Sequence, residues 1–403
     1  MAALDAPAEC FRLPVPRNAK PIVRQTCEAR EDADGGARAL HVRLQRRPGT
    51  RKPLDPVVSA TYGTDMAETI AADVAIIGAG PVGLFAVFEL GMLQLSSVLV
   101  DALGEVGGQC TALYPEKPIY DIPAHPAIEA AELVAQLERQ IAPFHASRLL
   151  GRRAQGLTGD PGAFEVTTDR GDRLHVKAVL IAAGAGAFGP HRPPIARLEA
   201  YEATGSVQYY VRRREDFRGR RVVIAGGGDS AVDWALALKD IARVSVVHRR
   251  TKFRAAPESA AQLDAAAARG EIELVVPYQL HGLRGSGGRL SDVEVATLSG
   301  EVRAVPADIL LPFFGLSMDL GPIAAWGMDR DLHHIRINPG TCESSLPGVF
   351  AIGDVVTYPG KLKLILQGFA EAAVAAHAIF AVARPGEALH FEYSTTKGLP
   401  NAN

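Results

Sequence analysis

Cysteine is scarce in this 403-residue chain, which has four, at Cys10, Cys27, Cys110 and Cys342, all far apart. That spacing excludes a disulfide framework and a thiolate zinc site, and it fits a reducing, cytoplasmic setting. Net charge is nearly absent as well, since 43 Lys+Arg face 45 Asp+Glu for a formal charge of -2. No global field draws the chain to nucleic acid or to an anionic membrane, so neither is expected as a partner and any charged partner has to meet a local patch. No run reaches the roughly 18 consecutive apolar residues of a membrane span. The richest, residues 372–383, is interrupted by His377 and reads as a buried helix. What remains is ordinary globular composition, 47% apolar and 22% charged, and at about 150 residues per domain the length gives two or three domains.

Residues 1–65 differ from the rest. They carry scattered prolines, an Asp-Gly-Gly turn at 34–36 and no sustained period, and they read as a disordered leader without the apolar core of a secretory signal. Met66 enters a strand almost at once, so the functional chain is expected to start there. Mass spectrometry of the native N-terminus checks this, and an abundant peptide from residues 20–60 would overturn it.

From Asp73 onward the pattern is α/β. A strand ending at Ile77, a helical pattern from Pro81 to Leu95 and a strand over 97–100 form a β-α-β unit. The turn between strand and helix is Gly78-Ala79-Gly80-Pro81-Val82-Gly83, and Asp101 ends the second strand. In that context Gly78 permits the tight turn, Gly80 lets backbone approach a pyrophosphate and Gly83 lets helix meet strand, while Asp101 suits ribose hydroxyls. A second unit starts at Arg221 with Gly226-Gly227-Gly228-Asp229-Ser230-Ala231 as its turn. Here the position matching Asp101 is Arg249, within His248-Arg249-Arg250 and near Arg254. Guanidinium groups suit a dianionic 2′-phosphate where a carboxylate would repel it, so this unit is expected to take NADP. Two nucleotide sites of this kind imply hydride transfer between NADPH and FAD. A third element supports it, because Gly348–Asp354 ends a strand before a long apolar helix and brings Asp354 where flavin ribitol hydroxyls would lie.

These elements predict an α/β chain of two Rossmann-like three-layer dinucleotide-binding domains, the NADPH domain inserted in the FAD domain. The expected boundaries are 1–65 leader, 66–190 first part of the FAD domain, 191–305 NADPH domain and 306–403 second part of the FAD domain with a C-terminal tail. Linkers are read at 186–195 and within 300–312, with Leu310–Gly315 assigned to the first domain's strands.

Together with Gly107-Gly108-Gln109, the block Ala112 to Lys117 (Ala-Leu-Tyr-Pro-Glu-Lys) and His248-Arg249-Arg250 followed by Phe253-Arg254-Ala255, the chain resembles the thioredoxin-reductase-like, type 2 ferredoxin:NADP reductases of bacteria. The resemblance covers residues 73–400. It implies FAD contacts from Asp101, Gln109, Tyr114, Ala154, Phe188, Asp354 and Thr395, with Tyr114 stacked on one flavin face. It also implies a homodimer whose C-terminal segment covers the flavin, with Tyr393 at the covering position, and a ferredoxin as partner. In thioredoxin reductases a C-x-x-C lies just before the second nucleotide strand, where this chain has Tyr209 to Asp216 and no cysteine. Cys110 follows Gly-Gly-Gln, but the position five further on is Pro115, so Cys110 reads as a small packed residue. Electrons then leave the flavin directly and no protein acid, base or nucleophile is required. A docking role for Arg212-Arg213-Arg214 with Arg218, Arg220 and Arg221 is a further expectation. Other readings of the same residues are an NADPH-dependent reductase of quinones or other small acceptors, and a slow-turnover, redox-responsive binding flavoprotein.

Overall fold

The structure, a computed structural model, describes residues 67–389 and the backbones of Val23–Ala29 and Leu40–Arg46. The chain divides into two units, Met1–Ala67 and Glu68–Asn403. In the first, Val23–Ala29 pairs antiparallel with Leu40–Arg46, Val23 opposite Arg46. Both strands fall within the span expected as a leader. The second strand has a local reason, because residues 40–44 (Leu-His-Val-Arg-Leu) alternate apolar and polar with period two.

The second unit contains two lobes. Along the chain the first lobe opens with β1 (Val74–Ile77), α1 (Pro81–Met92), β2 (Ser97–Asp101), α2 (Ala130–Ile141), β3 (Ser147–Leu150) and β4 (Ala178–Ile181). The second lobe follows with β5 (Arg221–Ala225), α3 (Asp229–Leu238), β6 (Arg243–Val247), α4 (Pro257–Ala268), β7 (Ile272–Val275) and β8 (Ile309–Pro312). The chain then returns to the first lobe through β9 (Val349–Ala351) and α5 (Ile365–Ala383).

The first sheet has the order β9-β4-β1-β2-β3, all parallel. Such strands are covered on both faces, and β1 and β4 accordingly read Val-Ala-Ile-Ile and Ala-Val-Leu-Ile with every residue buried. Val74, Ile76, Leu99 and Leu180 face α1, α2 and α5. Ala75, Ile77, Val98 and Val100 face an antiparallel meander of Ala154–Asp160, Ala163–Thr168 and Arg173–Val176, through Phe164, Val166 and Leu174. The second lobe repeats the plan with a parallel sheet β7-β6-β5-β8. Val222, Ile224, Val244 and Val246 meet Trp234, Leu238 and Leu263 of its helices. Val223, Ala225 and Val247 meet a meander of Gln279–Ser286, Arg289–Ala296 and Val302–Pro306. Both lobes are therefore three-layered, with the second inserted between β4 and β9.

One strand assignment is corrected. Residues 309–312 form β8 of the second sheet, Val222 opposite Ile309, and are not a strand of the first lobe. An Ile-Leu-Leu-Pro run fits the core of either parallel sheet equally well, so composition could not decide its membership. Nor is 300–312 a linker, since it holds the last meander strand and β8. The crossings are Ala187–Pro190 and Leu316–Asp319, which pair antiparallel as a two-stranded ribbon. The last helix, α5, is by length and composition apolar enough to cross a membrane, and about a third of it, 33%, is buried in the unit. Its Ala372, Ala375, Ala376 and Ile379 join the first core, while Leu366 and Val374 are exposed.

Candidate functional site

Strand order in the first sheet reverses at β1, with β2 on one side and β4 on the other, and a crevice opens there at the strands' carboxyl ends. It is a cavity of about 450 Å³. Gly78 turns the chain at φ +113°, and a Cβ there would stand 2.4 Å from the Ala182 carbonyl oxygen. A Cβ on Gly83 would stand 1.9 Å from the Gly78 carbonyl oxygen, so the first helical turn of α1 rests directly on the loop. Gly80 differs, because its Cβ would meet nothing within 4 Å and would project into open space. Gly80 is also the N-cap of α1 and contributes no side-chain cap, which leaves the first-turn N–H groups free.

Asp101, at the end of β2, receives N–H bonds from Ala79 at 2.7 Å and Leu103 at 2.8 Å, one on each carboxylate oxygen. Burial pushes its carboxyl above the usual range, and the two backbone bonds oppose that. The lining brings together Gly78, Gly80, Asp101, Gln109, Tyr114, Ala154 and Asp354. Gly83 lies behind the loop as helix packing. For Phe188 only the backbone is described, in the interlobe ribbon. Thr395 and Tyr393 lie outside the described residues.

The second cavity, about 850 Å³, lies at the end of β5 and takes in Gly226, Gly228, Asp229, Ser230, Arg249 and Arg254. Gly228, the N-cap of α3, again has no side-chain cap, and its Cβ would meet nothing within 4 Å. The segment after β6 is tied onto this loop. Arg254 donates its N–H to the Gly227 carbonyl at 2.6 Å, and the Ala256 N–H donates to Asp229 Oδ1 at 2.8 Å. His248, 8% exposed, stacks on Phe253 and packs against Gly227, where a Cβ would come within 2.2 Å of its ring. Burial first, then Arg254 and Arg249, hold the imidazole below its usual range. Its buried Nε2 has no hydrogen-bond partner among the described residues. Arg249, Arg250 and Arg254 are exposed, and none of them forms an ion pair among the described residues. Arg250 does not line the cavity.

The arginine run expected to dock a partner behaves in the opposite way. Arg214 binds Glu129 at 2.8 Å and takes Glu116 on its backbone N–H at 2.6 Å, Arg218 pairs with Glu215, and Arg221 pairs with Asp308. Arg212 lies over the Tyr210 ring. Most of that charge is neutralised locally, and Arg214 is an interlobe tie. Lys117 makes another, 2.8 Å from Asp233 on α3. Between these ties sits Tyr114, packed against the cores of both lobes. Tyr114 and Gln109 line both cavities, which therefore meet at this pair.

Neither described thiol is a candidate relay. Burial pushes Cys110 up to about 11 and Cys342 up to about 12, so both stay protonated at neutral pH. Among the described residues no group of three or more His, Cys, Asp or Glu could hold a metal ion. The sequence reading missed Arg152, which lines the first cavity with Nε 3.0 Å from Asp172, a carboxylate with no exposure. The adjacent Arg152-Arg153 pair just before Ala154 was the available signal.

The open spaces at Gly80 and Gly228, the uncapped helix ends, and the arginines and His248 nitrogen left without partners among the described residues fit two dinucleotides and define a protein that binds two nucleotides. The chain belongs to the pyridine nucleotide-disulphide oxidoreductase family, whose profile matches residues 72–378. It is similar to a protein named ferredoxin–NADP reductase from Granulibacter bethesdensis, 69% identical over 87% of this chain and 99% of that protein. A protein of the same name from Acidiphilium cryptum is 70% identical over 83% of this chain and 99% of its own length. Among solved structures, thioredoxin reductase from Lactococcus lactis superposes with a TM-score of 0.68 at 23% identity, covering 77% of this chain and 99% of that one. That likeness shows the fold.

Proposed function

We propose that this chain is an FAD-dependent NADPH:ferredoxin oxidoreductase, and that the first cavity holds FAD and the second NADP. The meeting of the two cavities at Tyr114 and Gln109, in a chain whose sequence contains no C-x-x-C, carries this reading. Bound flavin supplies the chemistry, accepting a hydride as an electron pair and passing electrons on singly.

The protein's own residues bind, orient and exclude water. Gly78 and Gly80 with the uncapped end of α1 hold the FAD pyrophosphate, and Asp101 holds a ribose through the lone pairs its two N–H bonds leave free. Gln109, Tyr114, Ala154 and Asp354 complete that site. Tyr114 offers an aromatic face, and burial pushes its phenol well up, so it remains a neutral hydroxyl. Gly226, Gly228, Asp229 and Ser230 form the NADP pyrophosphate cradle. Arg249 and Arg254, with Arg250 outside the lining, supply the charge for the 2′-phosphate. Lys117 and Arg214 hold the lobes so that the two sites adjoin.

The protein acts in the cytoplasm as a homodimer. The exposed Leu366 and Val374 on α5 give a second copy an apolar face. The test is NADPH-driven reduction of the host's ferredoxins, one at a time, followed at the iron–sulfur absorbance. Reduction of at least one at a rate comparable with NADPH oxidation is expected. Rapid turnover with quinones or dyes and with none of the ferredoxins would overturn the partner assignment.

A further inference from the structure

We propose that the buried ion pair Lys361–Glu371 is a positioning and charge-setting device for the flavin end of the first cavity, acting through the Gly353-Asp354 turn. It rests on the assignment of that cavity to FAD.

Glu371 lies on α5, and both side chains of the pair are 6% exposed. One carboxylate oxygen accepts the Gly353 N–H at 2.7 Å. The other accepts the Lys361 ammonium at 2.6 Å and the Tyr358 hydroxyl at 2.7 Å, and Gln367 Nε2 donates to that hydroxyl at 2.6 Å. The Glu371 carboxylate thus binds the backbone of the turn that presents Asp354 to the cavity. The helix carrying it cannot easily slide, because a Cβ on Gly368 would stand 2.4 Å from Val82 on α1. Gly353 itself holds φ +79°, a conformation that needs an external tie to be unique.

A buried pair is a poor device for stability alone, since apolar residues of the same volume do as well or better, whereas removing one partner strands a charge. Its location gives it a different use. Gly353, Asp354 and Ile365 all line the first cavity. Burial raises the Asp354 carboxyl, and Lys361 and Lys363 are the first charges to oppose that. With Glu371 in place the pair is close to neutral as seen from the cavity. Glu371→Gln leaves the ammonium uncompensated, and Lys361→Met leaves the carboxylate uncompensated. Two-electron reduction of flavin at neutral pH takes up one proton, so the ring gains one negative charge. An uncompensated cation favours that product and an uncompensated anion opposes it.

The experiment measures the midpoint potential of bound FAD in the wild-type protein, the two single variants and the double variant. Glu371→Gln is expected to favour the reduced state at least tenfold, about 30 mV upward for a two-electron couple. Lys361→Met is expected to shift it downward by a similar factor, and the double variant, neutral again, to return to within threefold of wild type. Shifts of the same sign in both single variants, or none, would overturn the proposal, because loosened packing has no sign. If Glu371→Gln is purified without flavin, FAD titration replaces the potential. A tenfold or larger loss of affinity that the double variant regains supports the proposal, and equal loss in the double variant overturns it. Wild-type protein that takes up no FAD would instead refute the cavity assignment.

Discussion

Replacing Arg249 and Arg254 together with alanine is expected to lower kcat/KM for NADPH by roughly 30- to 700-fold while leaving NADH nearly unchanged. The size follows from two charge-assisted contacts, each contributing about 1–2 kcal/mol at an exposed position after solvent screening. The direction follows from a contrast inside the second lobe. Arg214, Arg218 and Arg221 already have carboxylate partners, whereas Arg249 and Arg254 have none among the described residues and line the cavity. Steady-state kinetics with both coenzymes at fixed ionic strength checks it. An equal loss with NADH would mean that these side chains support the loop and do not select the phosphate.

The second large effect separates the two nucleotide sites. Gly80 and Gly228 have φ of −68° and −99°, which any residue adopts, and their Cβ positions open onto the cavities. Gly80→Val is therefore expected to give folded, colourless protein, with a Tm matching that of flavin-stripped wild type. Gly228→Val is expected to stay yellow with an NADPH Kd raised at least about a hundredfold, because a branched side chain occupies the phosphate cradle. Gly83→Ala belongs to another class. Its Cβ would lie 1.9 Å from a backbone oxygen, so it should unfold the lobe rather than empty it. Absorbance spectra and calorimetric titration distinguish these outcomes. Full FAD occupancy in Gly80→Val would contradict the cradle.

Much of the candidate site was legible because the pattern expected of a phosphate-binding turn is local. The glycines, the helix start and the residue at the end of the next strand follow one another in sequence, so Gly78 to Asp101 and Gly226 to Arg254 could be read without tertiary information. The layers were legible for a similar reason, since β1, β4, β5 and β6 are short apolar runs in β-α-β order. What depended on distant partners was not. Residues 309–312 joined the other sheet because parallel pairing with β5 is a long-range fact. The arginine run at 212–221 looked like a free basic surface because Glu129 and Asp308, which neutralise Arg214 and Arg221, are 85 and 87 residues away. Glu371 and Lys361 gave no signal at all, being common residue types whose meaning comes from burial around one backbone N–H.

The central claim is that electrons pass from NADPH through the flavin to an acceptor protein with no thiol relay in the polypeptide. It is tested most directly in a variant with Cys10, Cys27, Cys110 and Cys342 all replaced by serine or alanine. Stopped-flow mixing of that yellow protein with NADPH should bleach the flavin at the wild-type rate, and subsequent addition of ferredoxin should restore the colour at the wild-type rate. Normal bleaching followed by a failure to pass electrons on would reveal a sulfur carrier and contradict the account.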